Sequence, residues 1–189
     1  MAQFPSLPDF PHLSDVFKRF PKGAMPLMAF HDEVLRGESD LSAAEREMIA
    51  AYTSGLNACD FCHGSHTLIA EIHGIDPAIF EKLVDAPDRA GLEDKWLPLL
   101  AYVRKLTLTP AILTEADAAS VYDAGWSEDA LYDAIVVCAT FNLMNRIVEG
   151  CGVVATAEGR AASRERHEAV KDSATPYSDF GRMMGIGDS

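Results

Sequence analysis

The stretch from Glu47 to His66 holds four side chains that can do chemistry together. Cys59 and Cys62 form a Cys-x-x-Cys pair, His66 follows the second cysteine by four residues, and Glu47 precedes the first by twelve. Cysteines three apart share one face of a helix, and their Cα atoms then fall in the range a disulfide needs. At a helix N-terminus the positive end of the dipole favours thiolate over thiol. His66 lies on the same face as both cysteines and can exchange protons with a sulfur, most directly that of Cys62. Glu47 sits one helix earlier. In an antiparallel hairpin it reaches back to the same spot, where it orients or charges His66. Helix-end position favours Cys59 as the stronger thiolate and proximity to His66 favours Cys62, so the order of the two sulfurs stays open.

Two other readings fit the same residues. The cysteines can be ordinary core residues, with Glu47 a surface carboxylate and His66 a satisfied core histidine. Zinc is the sharper rival, because Cys59, Cys62 and His66 are legitimate ligands and Glu47 or a water can be the fourth. Structural zinc, however, normally draws on two separate knuckles, and the remaining cysteines, Cys138 and Cys151, stand alone as expected inert core residues.

The elements that must position these residues are helical. Ser42 with Glu45 forms a capping box, and Met48, Ile49, Tyr52 and Leu56 follow at a spacing near 3.6 up to Asn57. A second helix is expected over 59–73, with Phe61, Leu68, Ile69 and Ile72 inward and Gly74 as its stop. His63 faces another side, exposed or locally hydrogen-bonded. Upstream, 15–20 and 25–35 read as helices. Downstream, Asp76-Pro77 opens a helix to about residue 84, 86–91 is a loop, and 93–108 is a helix with Pro98 in its first turn. Thr114 with Asp117 starts a short helix ending at Gly125. Ser127 caps a long one, apolar nearly all round between Ala134 and Phe141, and 157–170 is a charged surface helix that takes in Arg164 and Arg166. Strand candidates are short and isolated. Residues 1–13, with Pro5, Pro8 and Pro11, form an extended arm. The tail 171–189 also reads as extended, its Tyr177, Phe180, Met183 and Met184 either docking on a neighbouring subunit or free. The expectation is one all-α domain over 1–189, a bundle of about seven to nine helices with its core at about 25–154. A weak internal repeat sets Ser42–Asn57 on Ser127–Asn142 at a constant offset of 85.

The chain has 189 residues, 48% of them hydrophobic, enough for one sizeable core. Asp and Glu outnumber Lys and Arg 29 to 16, for a formal charge of -13. That balance repels nucleic acid and anionic membrane surfaces. No apolar run reads as long enough to span a bilayer, and the first residues carry no basic, continuously apolar leader. A cytoplasmic setting follows as the default, and there a Cys-x-x-Cys pair implies redox or metal chemistry rather than a structural disulfide.

The pattern Glu-x11-Cys-x2-Cys-x3-His, met by Glu47, Cys59, Cys62 and His66, resembles the signature of the alkyl hydroperoxidase D-like branch of the carboxymuconolactone decarboxylase family. The approach Leu41-Ser42-x-x-Glu45-Arg46-Glu47 and the later Phe141-Asn142-x-x-Asn145-Arg146 resemble its peroxidase-related members, so the resemblance covers about 25–154. It implies an all-helical fold that associates into trimers or hexamers, and hydroperoxide reduction through a cysteine disulfide cycle. On this basis Cys62 attacks the peroxide, Cys59 resolves the sulfenic acid, a dithiol donor reduces the disulfide, and Glu47 and His66 relay protons, with no cofactor and no metal. The well-studied branch has a histidine just before the second cysteine, where this chain has Phe61. Decarboxylase members lack the cysteine pair, which disfavours that activity. The alternatives are a redox-sensing or zinc-stabilised protein without turnover, and a cofactor-free lyase or isomerase using Glu47 and His66. Asn142, Asn145 and Arg146 are expected to form a hydrogen-bond network rather than line the site. His12, His31, His73 and His167 have no partner that the sequence identifies.

Overall fold

The structure is a computed structural model that describes residues 3–186, apart from the side chain of Glu158. Nine α-helices and three short 3-10 turns make up the regular structure of the described residues, and no strand is present among them. The helices are α1 (Leu13–Arg19), α2 (Ala24–Arg36), α3 (Ala43–Leu56), α4 (Asp60–Ile72), α5 (Trp96–Leu108), α6 (Glu115–Asp123), α7 (Glu128–Cys151), α8 (Ala157–Ala169) and α9 (Pro176–Met183).

The bundle is organised around α3. Its start is fixed as expected: the Ser42 hydroxyl accepts from Glu45 N at 3.3 Å, and Glu45 Oε2 accepts from Ser42 N at 2.7 Å. From Met48 to Tyr52 every residue is fully buried, because α2, α4, α5 and α7 all pack on this helix. A helix enclosed on every side cannot show a clean amphipathic stripe, and α3 does not.

Ala58 makes the turn into α4 with φ +53°, the left-handed region that L-residues seldom enter. The two helices then run antiparallel. Cys59 N donates to Ser54 O, His63 Nδ1 pairs with Ala51 O, and His66 meets Glu47, so later residues of α4 meet earlier residues of α3. Gly55 leaves room for both α4 and the segment after it, since a Cβ there would stand 3.1 Å from His63 Nδ1 and 2.5 Å from Val84 Cγ2. Gly74, with φ +104°, follows the end of α4.

Long α7 starts at Ser127, whose hydroxyl accepts from Ala130 N at 2.9 Å, and ends at Gly152 in the left-handed region. By length and composition α7 is apolar enough to cross a membrane, which corrects the expectation that no segment would be. Half of that apolar stretch is buried in the bundle: Ala134, Val137, Cys138 and Phe141 are fully buried, and the helix packs on α3 and α5.

Other expectations shift in detail. The helix foreseen to about residue 84 is a 3-10 turn, Pro77–Glu81, and that foreseen from residue 93 begins at Trp96. The larger correction concerns the tail. Instead of running extended, it forms α9 and packs on α2 of its own chain. Pro176 opens α9 at a position where its missing N–H costs nothing. The next two amides, Tyr177 N and Ser178 N, donate to the Asp32 carboxylate at 2.8 and 2.9 Å, a buried anion placed at the positive end of the helix. Gly181 lets α9 close down on Met25 and Met28. Tyr177, Phe180 and Met184 pack against the chain's own core, while Met183 faces solvent.

Candidate active site

The α3–α4 hairpin brings all four residues singled out in the sequence to one place. Glu47, on α3, is fully buried. Its Oε2 accepts from His66 Nδ1 at 2.6 Å, and its Oε1 pairs with Arg36 Nη2 at 2.7 Å. The same Oε1 accepts from the Tyr177 hydroxyl at 3.0 Å. Burial alone would raise the Glu47 pKa, but the His66 and Arg36 pairs outweigh it and bring it down to about 2. Tyr177 is pushed well above its ordinary value, first by burial and then by the Glu47 charge, so it stays a donor. Glu47 is therefore a permanent carboxylate. It holds Nδ1 of His66 as a donor and leaves Nε2 free for proton exchange. Phe141 meets the His66 ring edge-on at 4.3 Å between centroids, which fixes the ring plane.

Cys59 is the N-cap of α4, and Cys62 stands one turn in. Both are reduced and buried. Their thiols are pushed in opposite directions. Cys59 is raised, first by donating its proton to Cys62 and then by burial. Cys62 is lowered by accepting from Cys59 and then from Asn145, against the opposing effects of burial and of the Glu149 charge. Of the two, Cys62 is the thiol shifted toward its charged form.

Asn145 takes part in two things at once. Its Nδ2 donates to Ser54 Oγ at 3.0 Å and its Oδ1 accepts from Asn57 Nδ2 at 2.9 Å. Asn57 also donates to Asn142, which in turn accepts from Arg146. The expected network is present, and Asn145 also helps to lower the Cys62 thiol.

Cys62 and His66 open on a cavity of about 130 Å³, while Cys59 and Glu47 lie behind its wall. The wall is largely apolar, with Phe17, Met28, Phe141 and Met144 among its residues, and α8 and α9 supply one side. His12, His31 and His167 also line it. All three are lowered, with burial the first cause, and His167 falls to about 3 with Arg166 adding to the effect. His73, by contrast, caps the far end of α4. Phe61 lies against His12 at 5.5 Å between rings. Among the described residues no three His, Cys, Asp or Glu side chains form a group suited to a metal ion. Glu47, the carboxylate a zinc reading would enlist, is committed to His66, Arg36 and Tyr177.

Sequence reasoning did not find Arg36 or Tyr177. Tyr177 lies 130 residues from Glu47 along the chain, in a segment with no periodicity to mark it. Asn145 did carry a signal, as a polar residue on an apolar helix.

Residues 21–89 match the model of the carboxymuconolactone decarboxylase family. A peroxidase-related protein of uncharacterized function from Silicibacter sp. TM1040 superposes with a TM-score of 0.72 at 27% identity, over 78% of each chain. A second such protein, from Ralstonia eutropha JMP134 and described as an alkylhydroperoxidase AhpD core, gives 0.71 at 24% identity over 77% of each chain. No curated protein matches the chain. The fold is the all-helical, alkyl hydroperoxidase D-like bundle of these structures. Over residues 21–89 the chain is similar to the carboxymuconolactone decarboxylase family.

Proposed function

We propose that the protein is a thiol-dependent peroxidase that reduces hydroperoxides through a Cys59–Cys62 disulfide cycle. The observation that carries this reading is the placement of Cys62. It stands on the cavity wall beside His66, with its thiolate favoured by a second thiol.

His66 Nε2 takes the Cys62 proton, and the buried Glu47 carboxylate balances the charge that results. The Cys62 thiolate attacks the terminal oxygen of ROOH and the O–O bond breaks. Cys62 becomes a sulfenic acid, and the leaving alkoxide takes the proton from His66 to give ROH. Cys59, whose proton is lost as the sulfenic hydroxyl departs as water, then attacks the Cys62 sulfur to close the disulfide. A dithiol donor reduces that disulfide by exchange and is itself oxidised to a disulfide. Neither metal nor organic cofactor enters these steps.

The partners in this proposal are a hydroperoxide, a dithiol and further copies of the chain in a trimer or hexamer, in a cytoplasmic setting that keeps thiols reduced. The test is turnover of a small alkyl hydroperoxide with a dihydrolipoyl-type donor. The proposal expects turnover that Cys62→Ser removes. Turnover unchanged in Cys62→Ser would overturn it. So would acid–base chemistry on a lactone that persists when both cysteines are replaced, with no peroxide consumed.

A further inference from the structure

The mouth of the cavity carries an electrostatic feature that disulfide chemistry does not use. Arg160 and Arg166, both on α8, line it. In a chain with 29 acidic residues, most cations find an anion or a carbonyl. Arg36 pairs with Glu47, Arg164 with Glu71 and Glu168, and Arg182 with Asp179. Among the described residues Arg160 and Arg166 form no ion pair. Arg164 alone lies on the solvated face that the sequence suggested for this stretch, and Arg166 turns inward. Its guanidinium lies over the Phe180 ring at 4.4 Å and reaches Ser163 Oγ at 3.3 Å and His167 Nε2 at 3.1 Å. Arg160 reaches over α4, with Nη1 3.9 Å from where a Cβ on Gly64 would stand, two residues beyond Cys62. Among the described residues the one carboxylate on the lining, Asp60, is solvent-exposed.

An apolar wall at the sulfur and two guanidinium groups with no carboxylate partner among the described residues fit an amphipathic ligand whose anionic end meets the arginines. We infer that the preferred substrates are hydroperoxides with an apolar body and a carboxylate, the carboxylate held by Arg166 and Arg160. Arginine suits this task because its planar fork matches both carboxylate oxygens. The half-buried position of Arg166, stacked on Phe180, keeps that fork in place. The inference rests on the peroxidase reading for its chemistry, but the anion site stands on the arginines alone.

The probes are cumene hydroperoxide bearing a para-carboxylate and the methyl ester of the same compound, which differ in charge and little in shape. The expected result is a kcat/KM for the acid at least about tenfold above that for the ester, the scale of one charge-assisted hydrogen bond. That ratio should fall toward one in R160Q/R166Q and shrink at high ionic strength. R160Q alone changes an exposed side chain and should give an intermediate ratio, which keeps the test readable if the double variant folds poorly. A ratio near one in the parent protein, or a ratio that the substitutions leave unchanged, overturns the inference while leaving the peroxidase reading intact. Calorimetry with 4-isopropylbenzoate and its methyl ester separates the two claims. Preferential binding of the benzoate, lost in R160Q/R166Q, supports the anion site even if no hydroperoxide is consumed, in which case only the peroxidase reading falls. Equal binding of acid and ester counts against the site.

Discussion

Cys62 and Cys138 are both buried, 3% and 0% exposed, on helices that both pack against α3, yet their thiols are pushed in opposite directions. Cys138 touches Thr107 Oγ1 at 3.2 Å and Asn142 Nδ2 at 3.4 Å, and burial still raises it. Cys62 is buried too, but it accepts from a second thiol as well as from an amide, and the balance tips the other way. Burial alone makes a thiol inert, as at Cys138 and at half-buried Cys151. What sets the α4 site apart is a paired sulfur, a histidine whose far nitrogen is free, and a cavity through which a substrate can arrive.

The severest way to break this comparison is to remove one sulfur of the pair. Cys59→Ser and Cys62→Ser should each abolish dithiol-dependent peroxide turnover, because a single thiol cannot close the cycle. Retained steady-state turnover in either variant would remove the distinction between the two regions.

Next in size are the histidine on the cavity wall and the carboxylate behind it. His66→Ala should lower kcat/KM by about 10²–10⁴-fold, the usual scale for lost acid–base help. Glu47→Gln should lower it similarly and also destabilise the fold by about 3–5 kcal/mol, because Arg36 would be left buried without its anion. Urea denaturation together with kinetics checks both effects. The same carboxylate sets a pH dependence. Its pKa falls from an ordinary 4.5 to about 2 in the folded chain. Its contribution to stability is therefore complete above about pH 4.5 and is lost as the pH falls toward 2. Unfolding midpoints measured across that window should drop more steeply in the parent protein than in Glu47→Gln.

How much of this was legible follows from where the contacts lie along the chain. Glu47, Cys59, Cys62 and His66 sit on two consecutive capped helices, so spacing and capping chemistry sufficed to gather them, and the all-helical architecture followed from the same periodicities. The opposite shifts of the Cys59 and Cys62 thiols were not legible. Helix-end position points to Cys59, and the deciding donors are Cys59 itself and Asn145, which comes from α7. Tyr177 and Asp32 meet only when the tail folds back over 145 residues. Pro, Ser and Gly around α9 gave that segment the composition of an extended end. Its eight residues are helical because Asp32 and the Met25–Met28 surface hold them there. His12, His31 and His167 come from three separate elements, and nothing local in the sequence marks their convergence on one cavity.

A smaller effect sharpens the comparison from the tail side. Tyr177→Phe removes one donor from Glu47 and keeps the ring that packs beside His31. It should cost about 1 kcal/mol of stability and lower turnover only several-fold, since His66 and Arg36 still hold the carboxylate. The smallest effect belongs to the other cysteine site. Cys138→Ser should change turnover by less than about threefold while costing on the order of 1 kcal/mol of stability, as scored by kinetics and thermal denaturation. A large loss of turnover there would place redox chemistry at the wrong sulfur.

The central claim is that Cys62 and Cys59 act as one redox pair while the other two cysteines stand apart. Mass spectrometry of the native protein after one equivalent of an alkyl hydroperoxide, with free thiols then alkylated and the chain digested, tests this most directly. The account predicts an intramolecular Cys59–Cys62 disulfide, full alkylation at Cys138 and Cys151, and reversal by a dithiol. Oxidation at Cys138 or Cys151 with Cys59 and Cys62 still alkylated, or no oxidised cysteine at all, would contradict it.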